Sequence, residues 1–148
     1  VANIVFNVAL GRVAYYASLP AANDGLIAVP IETTGIVGDA TMRDYDDLAT
    51  LLAGASNEQT TMGRKTLSGV TVTVDDTNDR VALDSADIVW TGATGNAISA
   101  IVICYDPDAT AGTDADLIPL TKHDFAITPD GSDIAATVAD FYRATSAA

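Results

Sequence analysis

The chain has a single cysteine, Cys104, so no intrachain disulfide can staple it. It has a single histidine, His123, which leaves one imidazole and one thiolate for a zinc site that ordinarily takes four such ligands. Basic residues are few: seven Lys and Arg, scattered at 12, 43, 64, 65, 80, 122 and 143, against 20 acids. Proteins that hold nucleic acid or an anionic membrane surface need a clustered positive footprint, and a chain of net charge -13 lacks one. No apolar run approaches the roughly 18 residues of a membrane-spanning helix. The N-terminus VANIVFNVALGRVAYY has no leading basic region, so no signal peptide is expected. Aromatics are scarce at 6%, which leaves little for a stacking platform.

What is present is small and aliphatic. The hydrophobic fraction is 49%, rich in Ala, Val and Ile. At 148 residues the length suits one domain, 1–148, able to bury roughly 70% of the surface its unfolded form exposes. Of the 20 acids 18 are Asp, and only Glu32 and Glu58 are Glu. Asp suits turns and caps where Glu suits helices, so the acid count points to many turns and a β-rich fold.

Period-2 patterning supports that. Leu26–Ile31 reads as a short buried strand, with Pro30 suited to an edge or a strand end. Val70–Val74 reads as a strand with valines inward and threonines outward, turning at Asp75–Asp79 into Arg80–Asp84. Ile88–Trp90 and Ala97–Tyr105, joined across Gly92 and Gly95, read as a core hairpin. The second of these strands is apolar on both faces and therefore central. Ile98, Ala100, Val102 and Cys104 share one expected face, with Ile101, Ile103 and Tyr105 on the other. Leu117–Leu120 and Phe125–Ile127 flank a polar Thr121–Asp124 segment. The one helix is expected over 42–53, with Thr41 as N-cap, Asp44 completing an approximate capping box and Gly54 as the stop. The predicted class is mainly β with one short α-helix, a compact β-sandwich or barrel-like domain. Residues 1–17 read as an edge strand or an extended N-terminal arm, with Val13–Tyr16 resuming as a second short strand.

Chemistry is sparse. His123 beside Asp124 invites a triad reading, but no nucleophile elbow accompanies it, and Cys104 lies in the apolar strand where a thiolate is disfavoured. The Asp clusters at 75–79, 106–116 and 130–133 lack calcium-loop spacing and read as turns. Gly92–Asn96 precedes a strand, not a helix, so it is no phosphate cradle. No catalytic, metal or cofactor site is assigned, and no cofactor is expected.

Six phrases, in order, resemble a family of small virion proteins from tailed bacteriophages of actinobacteria. They are FNVALGRVAYY (6–16), RDYDDLATLLAGASNE (43–58), GRKTL (63–67), VTVTVDDTNDRV (70–81), ADIVWTGATGNAISAIVICYD (86–106) and LIPLTKHDFAITPDGSDI (117–134). The resemblance implies a non-enzymatic minor capsid or head decoration (cement) protein, made in the host cytoplasm and carried on the virion. Its implied partners are the major capsid protein and copies of itself, with no nucleic acid and no membrane. A tail-tube or minor tail component is the alternative. The candidate contact residues with shell or sister subunit are Ile4, Phe6, Val8, Leu10, Arg12, Tyr15 and Tyr16, chosen for apolar strand character and terminal position.

Overall fold

The computed structural model describes residues 2–54 and 56–146. In chain order the strands and helices are β1 (Ile4–Val5), α1 (Val13–Ala17), β2 (Gly25–Glu32), α2 (Asp39–Met42), α3 (Leu48–Ala53), β3 (Lys65–Thr66), β4 (Thr71–Asp75) and β5 (Arg80–Asp84). They continue with β6 (Ile88–Trp90), β7 (Ile98–Asp106), β8 (Ile118–Ile127), β9 (Ile134–Ala136) and β10 (Tyr142–Thr145), and a 3-10 turn covers Asn7–Ala9. The fold is mainly β, in three antiparallel sheets. The five-stranded sheet has the order β1-β8-β7-β2-β3, a second sheet β10-β5-β4, and a third pairs β6 with β9. None closes into a barrel. Among the described residues no helix is long and apolar enough to cross a membrane.

Strand β7 is central, as its two apolar faces require. Ala100, Val102 and Cys104 point to one apolar cluster, where Met42, Leu48 and Leu51 bring the α2–α3 segment over the sheet. Ile101, Ile103 and Tyr105 point to the other, shared with Leu83, Ile88, Trp90 and Ile134 of the smaller sheets. Each buried Val, Leu, Ile or Met among them contributes about 1.5–3 kcal/mol. Ile98 departs from the expected alternation and joins the second cluster. Register shifts on both sides of β7 explain it: Ala100 pairs with Ile31 and Asp124, but Ile98 with Glu32 and Ile127. One irregular residue, Ser99, reverses the parity.

Several sequence expectations change. The Trp90 hairpin does not form, because β6 pairs with β9 (Trp90 opposite Ile134) and residues 91–97 carry the chain between sheets. Trp90 is nevertheless core, with its indole N–H donating to the Gly63 carbonyl at 2.9 Å. The helix expected over 42–53 divides into α2 and α3. Asp47 is extended (φ -144) and its carboxylate accepts from the Thr50 N–H at 2.8 Å, so it caps α3. An Asp side chain that bonds the backbone locally competes with continuing a helix. Asp44 instead receives the Asn7 side-chain amide, and Thr41 caps nothing.

Val13–Tyr16 is helical rather than extended. Gly11 (φ +73) turns the chain, and Val13 and Ala17, four apart, face the core. Residues 118–127 form one strand where a polar interruption was expected at 121–124. Val74, expected inward, is 72% exposed near the tip of the β4–β5 hairpin. Pro30 lies inside β2 opposite Ile101, yet costs no ladder bond. Its carbonyl accepts from Gln59, so its missing N–H faces the loop side beyond the two residues of β3.

Ile103→Ala is expected to cost about 2–5 kcal/mol in urea denaturation. Val74→Thr should stay within about 0.5 kcal/mol of the parent.

Candidate functional site

Four side-chain groupings carry the structure's polar chemistry. The first surrounds Lys122, which is 0% exposed. Lys122 points to the same face as Val102, toward α2, and its ammonium donates to Asp39 Oδ1 at 2.7 Å and Asp124 Oδ1 at 2.9 Å. Asp39 Oδ2 accepts from the Ala2 N–H at 2.8 Å. The Lys122 hydrogen bond, then the Ala2 one, hold the Asp39 carboxyl below the usual carboxylate range. One buried cation thus ties β8, α2 and the segment leading into β1.

The second is a fork at Arg64. Its Nε and Nη2 donate to the two Glu58 oxygens at 2.8 and 2.7 Å, and Nη1 and Nη2 to the two Asp114 oxygens at 2.6 and 2.9 Å. These paired bonds raise the guanidinium's pKa and lower that of Asp114. The fork fastens the 106–116 loop to the segment before β3, and its donors are already engaged.

The third comprises the Asp-rich turns. Asp75 accepts from Thr77 and Asn78, Asp108 from Thr110, Asp116 from Thr113, Asp130 from Ser132 and Asp133 from Gly92. These carboxylates aim back at their own or neighbouring backbone. Among the described residues no group of three or more His, Cys, Asp and Glu is placed to hold a metal ion. Cys104 is fully buried, and burial pushes its thiol pKa up.

The fourth is a half-open cavity of about 330 Å³ between β8 and the 136–141 segment. His123 and Asp124, neighbours on a strand, address opposite faces. His123 pairs across from Ile101 on the cavity side, while Asp124 pairs across from Ala100 and reaches Lys122. The His123 ring nitrogen Nε2 lies 2.9 Å from Thr121 Oγ1. No His–Asp dyad exists. Burial first, then the charge of Lys122, hold the imidazole below its ordinary value.

The candidate contact residues scatter. Phe6 is fully buried against Val29 and Met42 in the helix-side core, and so presents no surface. Ile4 and Val8 pack half-buried on the core, as does Tyr16, whose ring centroid lies 4.7 Å from that of Tyr105. Leu10 and Tyr15 are 62% and 60% exposed, and Arg12 is exposed. Only these three offer a surface. Sequence reasoning missed Lys122, although Lys122 and Asp124, two apart, share a face once the segment is read as strand.

No family model matches this chain, and no curated protein or solved structure matches it either.

Asp39→Ala leaves Lys122 buried with Asp124 alone, and is expected to cost about 2 kcal/mol in chemical denaturation. Lys122→Met, which removes the buried charge, should cost less. The lowered His123 pKa means that the unfolded chain takes up the proton first as pH falls. Stability is therefore full above about pH 6.5 and lost as pH falls toward the folded value. The melting temperature should drop between about pH 7.5 and 5, and His123→Gln should flatten that slope.

Proposed function

We propose that this chain is a structural virion protein, a decoration subunit on the outer face of a tailed-phage head, where it binds major capsid protein and sister subunits. The ordered phrases that resemble small actinobacteriophage virion proteins support the class. The charge distribution carries the location. Of the seven basic side chains, Arg64, Arg80, Lys122 and Arg143 are spent in ion pairs with the chain's own carboxylates. The surface left to meet a partner is dominated by acid. Packaged DNA is a dense polyanion and would repel it, which favours the outer face of a shell over the inner one. A subunit that binds only the assembled shell stabilises that shell by mass action. Leu10, Arg12 and Tyr15 are the contact residues this reading retains.

Purified particles should carry the protein in many copies, and electron microscopy should place it outside the head. Leu10→Asp with Tyr15→Asp should lower its occupancy on heads, with the melting temperature of the free protein unchanged. A protein found only in the tail fraction would assign it instead to the tail tube.

A further inference from the structure

Lys122 is a primary amine with no exposure to water, and two carboxylates share it. Its Nζ lies 2.7 Å from Asp39 Oδ1 and 2.9 Å from Asp124 Oδ1, on the side of the sheet that holds Phe6, Met42 and Val102. Asp39 comes from α2, 83 residues away, whereas Asp124 comes from the same strand as Lys122. The second Asp39 oxygen, Oδ2, accepts the Ala2 N–H at 2.8 Å. The cluster therefore holds more than an ion pair needs. It has a desolvated amine, a carboxyl carbon beside it, a second carboxylate on the same nitrogen, and a backbone donor on the oxygen where charge would gather.

We propose that the folded chain joins Lys122 to Asp39 through an amide bond between Nζ and Cγ. The resting pair is charged. Burial penalises each charge, so passing one proton from nitrogen to carboxylate is easier here than in water. The freed lone pair then adds to Asp39 Cγ, and the Ala2 N–H steadies the negative charge on Oδ2. The Cγ–Nζ bond forms and the Cγ–Oδ1 bond breaks. Of the ammonium's three protons, one stays on the amide nitrogen and two leave with Oδ1 as water. Asp124 carries protons between the two atoms and ends ionised, as it began. Nothing is oxidised or reduced. Groups held in contact in this way react as though at about 10⁵–10⁸ M, which drives a condensation that separate molecules in water resist. The Asp39 side chain is 19% exposed and gives the released water a way out. The product ties β8 covalently to α2 in a chain whose single cysteine denies it a disulfide. In the freshly folded chain the ion pair alone sets the cost of losing Asp39 or Lys122; after closure either loss also removes the covalent tie. This inference does not rest on the virion reading.

Intact-mass spectrometry of the full chain, folded at neutral pH and then denatured, reads the bond directly. The expected mass is one water below that of the sequence, at once or growing in over days of incubation. Trypsin should no longer cut after Lys122, and segments 13–43 and 81–143 should appear as one branched peptide. Lys122→Met and Asp39→Ala should keep the full mass. Asp124→Asn, which leaves the amine and the carboxyl carbon in place, should slow closure about tenfold or more. A full sequence mass after long incubation overturns the proposal. So does a missing water that survives Lys122→Met, or closure of Asp124→Asn at the parental rate. A loss mapped to Asp24–Gly25 or Asp130–Gly131, where an aspartate can cyclise onto the following glycine amide, overturns it as well.

Discussion

Strand β7 has no face toward water, and both of its layers follow from that. Isoleucine and tyrosine on one side, alanine, valine and cysteine on the other, need two separate covers. The α2–α3 segment supplies one and the two smaller sheets supply the other. The volumes match the covers. The helix side places the small residues Ala100 and Cys104 against the larger Met42, Leu48 and Leu51. The opposite side meets Ile101, Ile103 and Tyr105, which pack with Trp90, Leu83 and Ile134. Interiors pack near crystal density, so the distribution of side-chain size across one strand sets how each layer sits.

The acidic composition is mostly used up locally. Asp47 caps a helix, Asp75, Asp108, Asp116 and Asp130 close turns, and Asp39 and Asp114 hold cations. A chain of many short strands needs many turns, and Asp supplies each with a side-chain acceptor for backbone N–H groups. The negative charge is thus first a by-product of building the fold. It then constrains every partner the folded surface can meet.

The parts of the fold legible in sequence were those set by local alternation. The two-sided strand at 98–106 and the β4–β5 hairpin are both present, and Asp-rich stretches do form turns. Misreadings arose where a long-range partner decides. Nothing local says that Ile88–Trp90 pairs with Ile134–Ala136 and not with the strand that follows it. The polar look of Thr121–Asp124 concealed a strand, because its cation is matched by Asp39, 83 residues away. Val13–Tyr16 is short enough to satisfy either period, and the turn at Gly11 settles it as helix. The candidate contacts suffered the same ambiguity: an apolar N-terminal run contains both Phe6, which the core takes, and Leu10, which it does not.

Lys122 bears on how the chain finds its register as well as on how it holds it. A strand flanked by apolar layers on both faces can slide by one residue and still bury hydrocarbon, since either face accepts aliphatic side chains. A slip of β8 by one position exchanges its faces. It would carry the ammonium away from Asp39 into the layer of Ile101, Ile103 and Trp90, with Asp124, which travels on the same strand, still beside it. A buried charge that has lost one of its two carboxylates costs more than a lost methyl contact. The Lys122–Asp39 pair therefore acts as a key that favours one alignment of β8, giving an otherwise permissive hydrophobic strand a preferred place to stop.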